Sequence, residues 1–129
     1  MDTDKDKRFD GITEKIIGCA FRMHNVLGCG FLQKVYENAL AHELCKMGLE
    51  VRQQVGIDVM YDGVVVGQYI ADLIVERVVA IELKAIKGLE EIHSAQCINY
   101  LAASGLPVCL LINFANKVEV KRIVGRSLQ

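Results

Sequence analysis

The stretch Tyr69–Ala85, YIADLIVERVVAIELKA, sets three charged side chains, Asp72, Glu82 and Lys84, within two short apolar runs rich in Val and Ile. Both runs are bounded by charged or glycine-containing segments, which is typical of buried β-strands. The charged residues around Arg77 separate the two runs and predict a turn. The stretch is therefore predicted to form a β-hairpin that carries charges on an otherwise apolar surface.

The register of this hairpin decides whether the charges meet. Side chains alternate across a strand, so Glu82 and Lys84 point to one face of the sheet and Leu83 to the other. If the turn has an odd number of residues centred on Arg77, positions whose numbers sum to 154 lie opposite each other, which pairs Asp72 with Glu82. Two facing carboxylates repel in a half-buried sheet, and a divalent cation between them would resolve the conflict.

The spacing resembles a known signature. Ala71-Asp72, nine residues, then Glu82-Leu83-Lys84 is similar to the PD-(D/E)xK nuclease motif, with alanine in place of proline. The resemblance implies that Asp72 and Glu82 hold Mg²⁺ or Mn²⁺, with the Leu83 carbonyl as a further oxygen ligand. It also implies that Lys84 orients the attacking water and stabilises charge on the phosphate. The alternative is a structural hairpin whose charges form a cross-strand ion pair.

Two helices are predicted before the hairpin, over residues 12–27 and 32–47. Their junction contains Gly30-Phe31-Leu32-Gln33-Lys34-Val35-Tyr36, which is similar to the motif that names the GxxExxY family, a branch of the same superfamily. Glycine and tyrosine match, but Gln33 stands where the motif has glutamate. Glu37, one turn further, is the candidate substitute for the missing carboxylate.

The rest of the chain predicts a meander followed by a crossover. Asp62-Gly63 is a two-residue hairpin signal, because both turn positions need positive φ. The other predicted elements are strands 51–61, 64–75, 78–85, 108–114 and 118–124, the last at an edge, and a helix at 89–103. The order ααβββαβ(β) predicts an α/β (α+β) restriction-endonuclease-like fold, with a mixed sheet flanked by helices. We expect residues 1–10 to be a flexible arm and residues 11–129 to form a single domain.

The third predicted helix contains a second group of candidates. His93, Gln96, Asn99, Tyr100 and Leu101 resemble the helix that follows the Glu-x-Lys motif in the family. The resemblance implies that Gln96 and Tyr100, four residues apart on one helix face, border the active site and position water or phosphate. A polar helix face with an amphipathic tyrosine at its edge is the alternative.

Composition sets the limits of the functional interpretation. A net charge of −1 and a pI near 6.3 give no overall basic footprint for nucleic acid, although a local basic stripe is still compatible with them. The N-terminus lacks an apolar signal region, and the chain has no long apolar run, which predicts a cytoplasmic protein without a membrane segment. Five cysteines without CxxC spacing predict reduced thiols.

Three interpretations follow. The first is a Mg²⁺-dependent phosphodiesterase, a nuclease, with DNA as the favoured substrate. The second is a non-catalytic module with the nuclease fold that binds nucleic acid or a protein partner, which Gln33 and the slightly acidic balance favour. The third is a structural role, which the cost of burying three charges disfavours. A homodimer is compatible with all three.

Overall fold

The computed structural model describes residues 9–125, which form three helices and one five-stranded sheet. In chain order the elements are α1 (Asp10–Leu27), α2 (Gln33–Lys46), β1 (Val51–Tyr61), β2 (Val64–Val75), β3 (Val79–Lys84), α3 (Glu91–Ser104), β4 (Val108–Phe114) and β5 (Val118–Val124). This confirms the predicted α+β class and element order, with the fifth strand present. The arm predicted for residues 1–10 lies mostly outside the described residues, and Asp10 is already the first residue of α1.

The sheet has the strand order β1-β2-β3-β4-β5. All neighbouring strands are antiparallel except β3 and β4, which are parallel and connected through α3. A parallel pair requires a crossover of this kind, because the chain must return to the same end of the sheet. As predicted, β5 lies at one edge of the sheet, and β1 lies at the other.

Helices cover both faces of the central strands. On one face, α1 and α2 pack on alternate residues of the sheet such as Leu73, Ile81 and Leu110. On the other, α3 packs on a smaller cluster that includes Ala80 and Leu111. Among the described helices, none is long and apolar enough to cross a membrane.

The turn between β2 and β3 has the odd length on which the 154 register depends. Val75 pairs with Val79 and Leu73 with Ile81, so paired positions sum to 154. Two non-glycine turn residues, Glu76 and Arg77, have positive φ angles of 53° and 61°. Such angles are costly for residues that have a Cβ, so other contacts must hold the turn in place.

Those contacts come from the residue that precedes β1. The backbone N–H of Glu50 donates to Oε2 of Glu76 at 2.6 Å, and the N–H of Glu76 donates to the Glu50 carbonyl at 2.9 Å. The Arg77 side chain adds an ion pair to Glu50, with 3.0 Å between Nε and Oε1. The start of β1 therefore holds the turn that sets the β2-β3 register.

One prediction about burial is wrong. The first strand of the stretch Tyr69–Ala85 was expected to be buried along its whole length. Tyr69 and Ile70 are exposed, however, and burial begins at Ala71. The reason is that β3 pairs with β2 only from Leu73 to Val75, so the earlier part of β2 has β1 as its single neighbour in the sheet.

The glycine and tyrosine of the loop motif have a structural role. The Tyr36 hydroxyl donates a 2.6 Å hydrogen bond to the Gly28 carbonyl and accepts one from the Phe31 N–H at 3.3 Å. Its fully buried ring stacks on Phe114, with 4.6 Å between ring centroids and 6° between planes. Gly30 has a φ of 101°, which favours glycine. Tyr36 thus fixes the α1–α2 connection to β4.

We predict that Tyr36→Phe lowers the free energy of unfolding by about 1–2 kcal/mol, because it leaves the Gly28 carbonyl without its donor while the ring still packs. Urea unfolding followed by circular dichroism would measure the loss. Tyr61→Phe is the matched control, since Tyr61 is 73% exposed within the chain. Equal unfolding midpoints for the two variants would contradict this role of Tyr36.

Candidate active site

The candidate site begins where the pairing of β1 with β2 is interrupted. Gln53 pairs with Leu73 and Val55 with Ala71, so Gln54 and Asp72 between them are left out of the ladder. Gln54 has a positive φ of 54°. Instead of pairing through the backbone, the two residues pair through side chains, with Nε2 of Gln54 donating to Oδ1 of Asp72 at 3.2 Å.

At the interruption, the side chains of β1 and β2 change from one face of the sheet to the other. Leu73 belongs to the cluster under α1 and α2, whereas Ala71, two residues earlier, belongs to the cluster under α3. In a regular strand, residues two apart share a face. The same change occurs in β1, where Val51 packs with α1 and α2 and Val55 packs on the α3 side. Asp72 therefore lies at the point where β2 changes face.

The pairing of β2 with β3 also ends at this point. Its last pair is Leu73 with Ile81, and Asp72 continues the contact through its side chain. Oδ2 of Asp72 accepts a 2.7 Å hydrogen bond from the Leu83 N–H, and the Asp72 N–H donates to Oε1 of Glu82 at 3.3 Å. The two carboxylates thus lie next to each other, as the 154 register predicts.

Leu83 contributes its backbone to the same place, where the pairing of β2 with β3 ends. Its side chain is fully buried on the α1–α2 face, while its N–H is bound to Asp72. Within a strand, the N–H and C=O of one residue are directed toward the same neighbour. The Leu83 carbonyl is therefore directed toward the β2 side, where an oxygen ligand is expected.

Burial disfavours the charged form of both carboxylates. Desolvation, followed by the charge of Asp72, raises the pKa of Glu82 to about 7, and the Lys84 ammonium offsets part of this rise. Desolvation also raises the pKa of Asp72, against the hydrogen bonds from the Leu83 N–H and from Gln54. The pair consequently binds a proton near neutral pH, or requires a cation to ionise fully.

Glu37 lies behind this pair. It is 1% exposed, and its oxygens accept hydrogen bonds from Gln53 Nε2 at 2.8 Å, Gln54 Nε2 at 2.9 Å and Lys34 Nζ at 3.2 Å. It is linked to Asp72 through the Gln54 amide, which donates hydrogen bonds to the carboxylates of Glu37 and Asp72. Glu37 therefore joins the site as a partner of Gln54, and all of its contacts just given are to nitrogen donors.

The other predicted residues lie at different distances from the pair. Gln33 makes a long contact, 3.5 Å from Nε2 to Oδ2 of Asp72. Tyr100 is buried, and its hydroxyl donates to the Val55 carbonyl at 3.1 Å, which holds α3 to β1 beside the interruption. Burial, and next the charge of Glu82, raise the pKa of Tyr100, so its ring is close to the pair. Gln96 is exposed one turn earlier.

Sequence reasoning did not identify Gln53 and Gln54. Both lie in β1, an edge strand that β2 separates from the Glu-x-Lys motif on β3. The available signal was two consecutive amides between Val51 and Val55, which breaks the alternation expected of a half-buried strand. Amides at such a break are suited to bond carboxylates from neighbouring elements.

The donor set fits a hard cation. In the described part of the chain, no group of three or more His, Cys, Asp and Glu side chains is arranged to hold a metal ion. Asp72, Glu82 and the Leu83 carbonyl would instead supply the protein oxygens, with water completing the shell. Mg²⁺ and Mn²⁺ accept such sets, since Mg²⁺ commonly keeps several waters and takes one or two carboxylates.

We predict that ionisation of Glu82 lowers stability. Its pKa in the folded protein is about 7, above the ordinary value of 4.5, so the folded state holds the proton more tightly. The stabilising contribution of the protonated form is present below pH 4.5 and is lost as the pH rises through about 7. Without divalent ions, the wild type should therefore lose about 3 kcal/mol across this window relative to Glu82→Gln.

Urea unfolding at several pH values would measure this difference. Glu14→Gln, which removes an exposed carboxylate on α1, is the control and should run parallel to the wild type. If the free energy of unfolding of Glu82→Gln has the same pH dependence as that of the wild type, the pKa of Glu82 is not raised in the folded protein.

Comparisons with known proteins identify the family and the fold. The family model of the PD-(D/E)XK nuclease superfamily matches residues 10–123. Among solved structures, a protein described as "Crystal structure of SSO0001" is similar, with a TM-score of 0.56, 18% sequence identity and coverage of 95% of this chain. This chain covers 61% of the length of that one, and the likeness shows the fold alone. No curated protein gives a significant match. The family match extends over nearly all of the described residues, and we conclude that the chain belongs to the PD-(D/E)XK nuclease superfamily.

Proposed function

We propose that the protein is a nuclease, a phosphodiesterase that depends on Mg²⁺ or Mn²⁺ and cleaves DNA in the cytoplasm. The observation that carries the proposal is the adjacent pair of half-buried carboxylates, Asp72 and Glu82, at the end of the β2-β3 pairing. Retaining two neighbouring acids at a desolvated position is costly unless they have a ligand. Membership in the superfamily supports the same chemistry.

The roles of the residues follow from their positions. The cation, when bound, would neutralise the carboxylates and polarise the scissile phosphate. Lys84 lies two residues after Glu82 on the same face of β3, and its charge acts on both carboxylates. From there its ammonium would orient the attacking water and stabilise negative charge that develops on the phosphate.

Gln54 would position the Asp72 carboxylate. Its amide nitrogen bonds to Asp72 and Glu37 together, and the Leu83 N–H holds the other oxygen of Asp72. Two groups, from β1 and β3, thus restrict the rotation of one carboxylate, and Glu37 on α2 in turn holds the Gln54 amide. A restricted carboxylate needs less reorganisation when a cation binds, which favours binding.

Gln33 should lower the affinity of the site for a cation. In the motif that this loop resembles, glutamate occupies its position, whereas an amide supplies no negative charge to a cation. Glu37 does not replace it directly, because Lys34, Gln53 and Gln54 engage its oxygens. We therefore propose an active site with weak metal binding and partial activity.

A second candidate is a non-catalytic module of the same fold that binds nucleic acid or a protein partner. Gln33 favours it, as does the net charge of −1. The two candidates differ in the role of Lys84. A nuclease needs this side chain for catalysis, whereas a binding module needs it only as one positive charge among several. Cleavage with and without this side chain separates them.

We predict that Lys84→Ala abolishes Mn²⁺-dependent cleavage, with at least about a hundredfold loss, because Lys84 acts on charge formed in the transition state. Supercoiled and branched DNA, and single-stranded RNA, should be assayed over a range of ionic strength, since phosphate binding depends on salt. Lys121→Ala on β5 is the control and should keep wild-type activity. Absence of cleavage of every substrate by the wild type with either metal would favour the binding module.

We also predict that Gln33→Glu tightens Mn²⁺ binding, because it adds a carboxylate beside Oδ2 of Asp72. Electron paramagnetic resonance of free Mn²⁺ would measure the affinity, and cleavage should rise with it. Asn99→Asp, which adds the same charge at an exposed position on α3, controls for nonspecific attraction. Equal affinities for these two variants would contradict a role of position 33 at the cation.

A further inference from the structure

The β1-β2 hairpin extends beyond the sheet as a two-stranded arm, which we define as residues 56–70. β3 pairs with β2 only at residues 73–75, so the arm has no third strand. The turn at its tip has the two positive φ angles predicted for Asp62 and Gly63, 55° and 76°. Seven large apolar side chains of the arm are exposed: Met60, Tyr61, Val64, Val65, Val66, Tyr69 and Ile70.

This apolar surface is large for a chain of 129 residues. The seven side chains are between 38% and 73% exposed. Five of the seven side chains lie on β2, and two, Met60 and Tyr61, lie on β1. Isolated two-stranded hairpins are at best marginally stable in water, so the arm gains from a partner that covers it.

The charge of the arm disfavours nucleic acid as that partner. Its two ionisable acids are Asp58 and Asp62, and residues 56–70 contain neither lysine nor arginine. Phosphate binding relies on cationic side chains, so an acidic and apolar arm would repel a nucleic acid backbone. A protein surface is the occupant that fits this chemistry.

The two edge strands of the sheet, β5 and β1, differ in how strongly their charges discourage pairing with another chain. β5 carries Glu119, Lys121 and Arg122, and charges on an edge strand discourage pairing with another chain. From Val55 to Tyr61, β1 contains one charged residue and no proline, and the irregularity near the tip lies in β2, where Val66 is the extra residue. β1 is therefore the edge that is open to another strand.

We propose that a second copy of this chain pairs with the protein through β1, antiparallel to β1 of the first copy, about a two-fold axis at Ile57. In this register, paired positions sum to 114. Val55 of each copy then faces Val59 of the other, and Arg52 faces Asp62 in two symmetry-related contacts. Apolar residues meet apolar residues, and opposite charges meet, which is the complementarity that a two-fold interface requires.

Neighbouring registers are less favourable. A two-fold axis at Gly56 places Asp62 against Glu50, which repel, and leaves Arg52 opposite Met60. An axis at Val55 places Gln53 against Ile57 and leaves the arm tip without a partner strand. Like charges directly opposite are destabilising, so the axis at Ile57 is preferred.

The pairing also gives each two-stranded arm a third strand, because β1 of the other copy lies beside it. In the Ile57 register, Tyr61 faces Gln53 of the other copy, and Met60 faces Gln54. The tip of each arm would then border the candidate active site of its partner. The dimer does not depend on the proposed activity.

Sedimentation equilibrium tests the interface. The wild type should have twice the chain mass of 14.3 kDa, whereas Tyr61→Glu should shift to the monomer, with roughly a tenfold or greater rise in the dissociation constant. Val26→Glu, which places the same charge at an 84% exposed position on α1, is the control and should stay dimeric. A monomeric wild type, or a dimer that Tyr61→Glu leaves unchanged, would overturn the proposal and assign the arm to a different partner.

A charge exchange tests the register. Arg52→Glu and Asp62→Arg should each weaken the homodimer, because both symmetric contacts become repulsive. An equimolar mixture of the two variants should restore the dimer, since each contact then pairs opposite charges. If mixing fails to restore dimerisation, the Ile57 register is wrong. Circular dichroism of each variant shows that the fold is retained.

Discussion

The desolvation of two neighbouring carboxylates is the constraint on which the site depends. Asp72 and Glu82 lie together because the β2-β3 register brings them there and because backbone pairing stops just before them. Their ionised forms are opposed by burial and by each other, and the nearby positive charge of Lys84 offsets only part of this cost. The surrounding structure supplies donors, the Leu83 N–H and the Gln54 amide, but leaves oxygen atoms available to a ligand.

Distant parts of the chain maintain this arrangement. Glu50 holds the left-handed turn residues that set the register, and Tyr36 fixes the loop from which α2 carries Gln33 and Glu37 toward Asp72. The interruption at Gln54 costs backbone hydrogen bonds and a positive φ, which are partly offset by side-chain bonds to two carboxylates. Strain of this kind is often concentrated at functional positions.

Much of the fold could be predicted from the sequence, because it depends on local signals. The charged residues around Arg77 predicted the turn, with the 154 register conditional on an odd turn length, and Asp62-Gly63 predicted the tip of the hairpin. The interruption at Gln54 and Asp72 was missed, because strand alternation was assumed to be unbroken through the two consecutive amides of β1. The exposure of residues 64–70 was also missed, because an apolar run in sequence does not show whether a third strand lies beside it.

Calorimetric titration of Mn²⁺ at pH 7, in buffers of different ionisation enthalpy, tests the central claim most directly. If Asp72 and Glu82 hold one cation, binding should show one site per chain and release about half a proton, because the pKa of Glu82 is about 7 and the bound carboxyl must ionise. Proton release should disappear well above pH 7, and Asp72→Ala should abolish binding. Binding that is independent of Asp72, or that releases no proton at pH 7, would contradict the account.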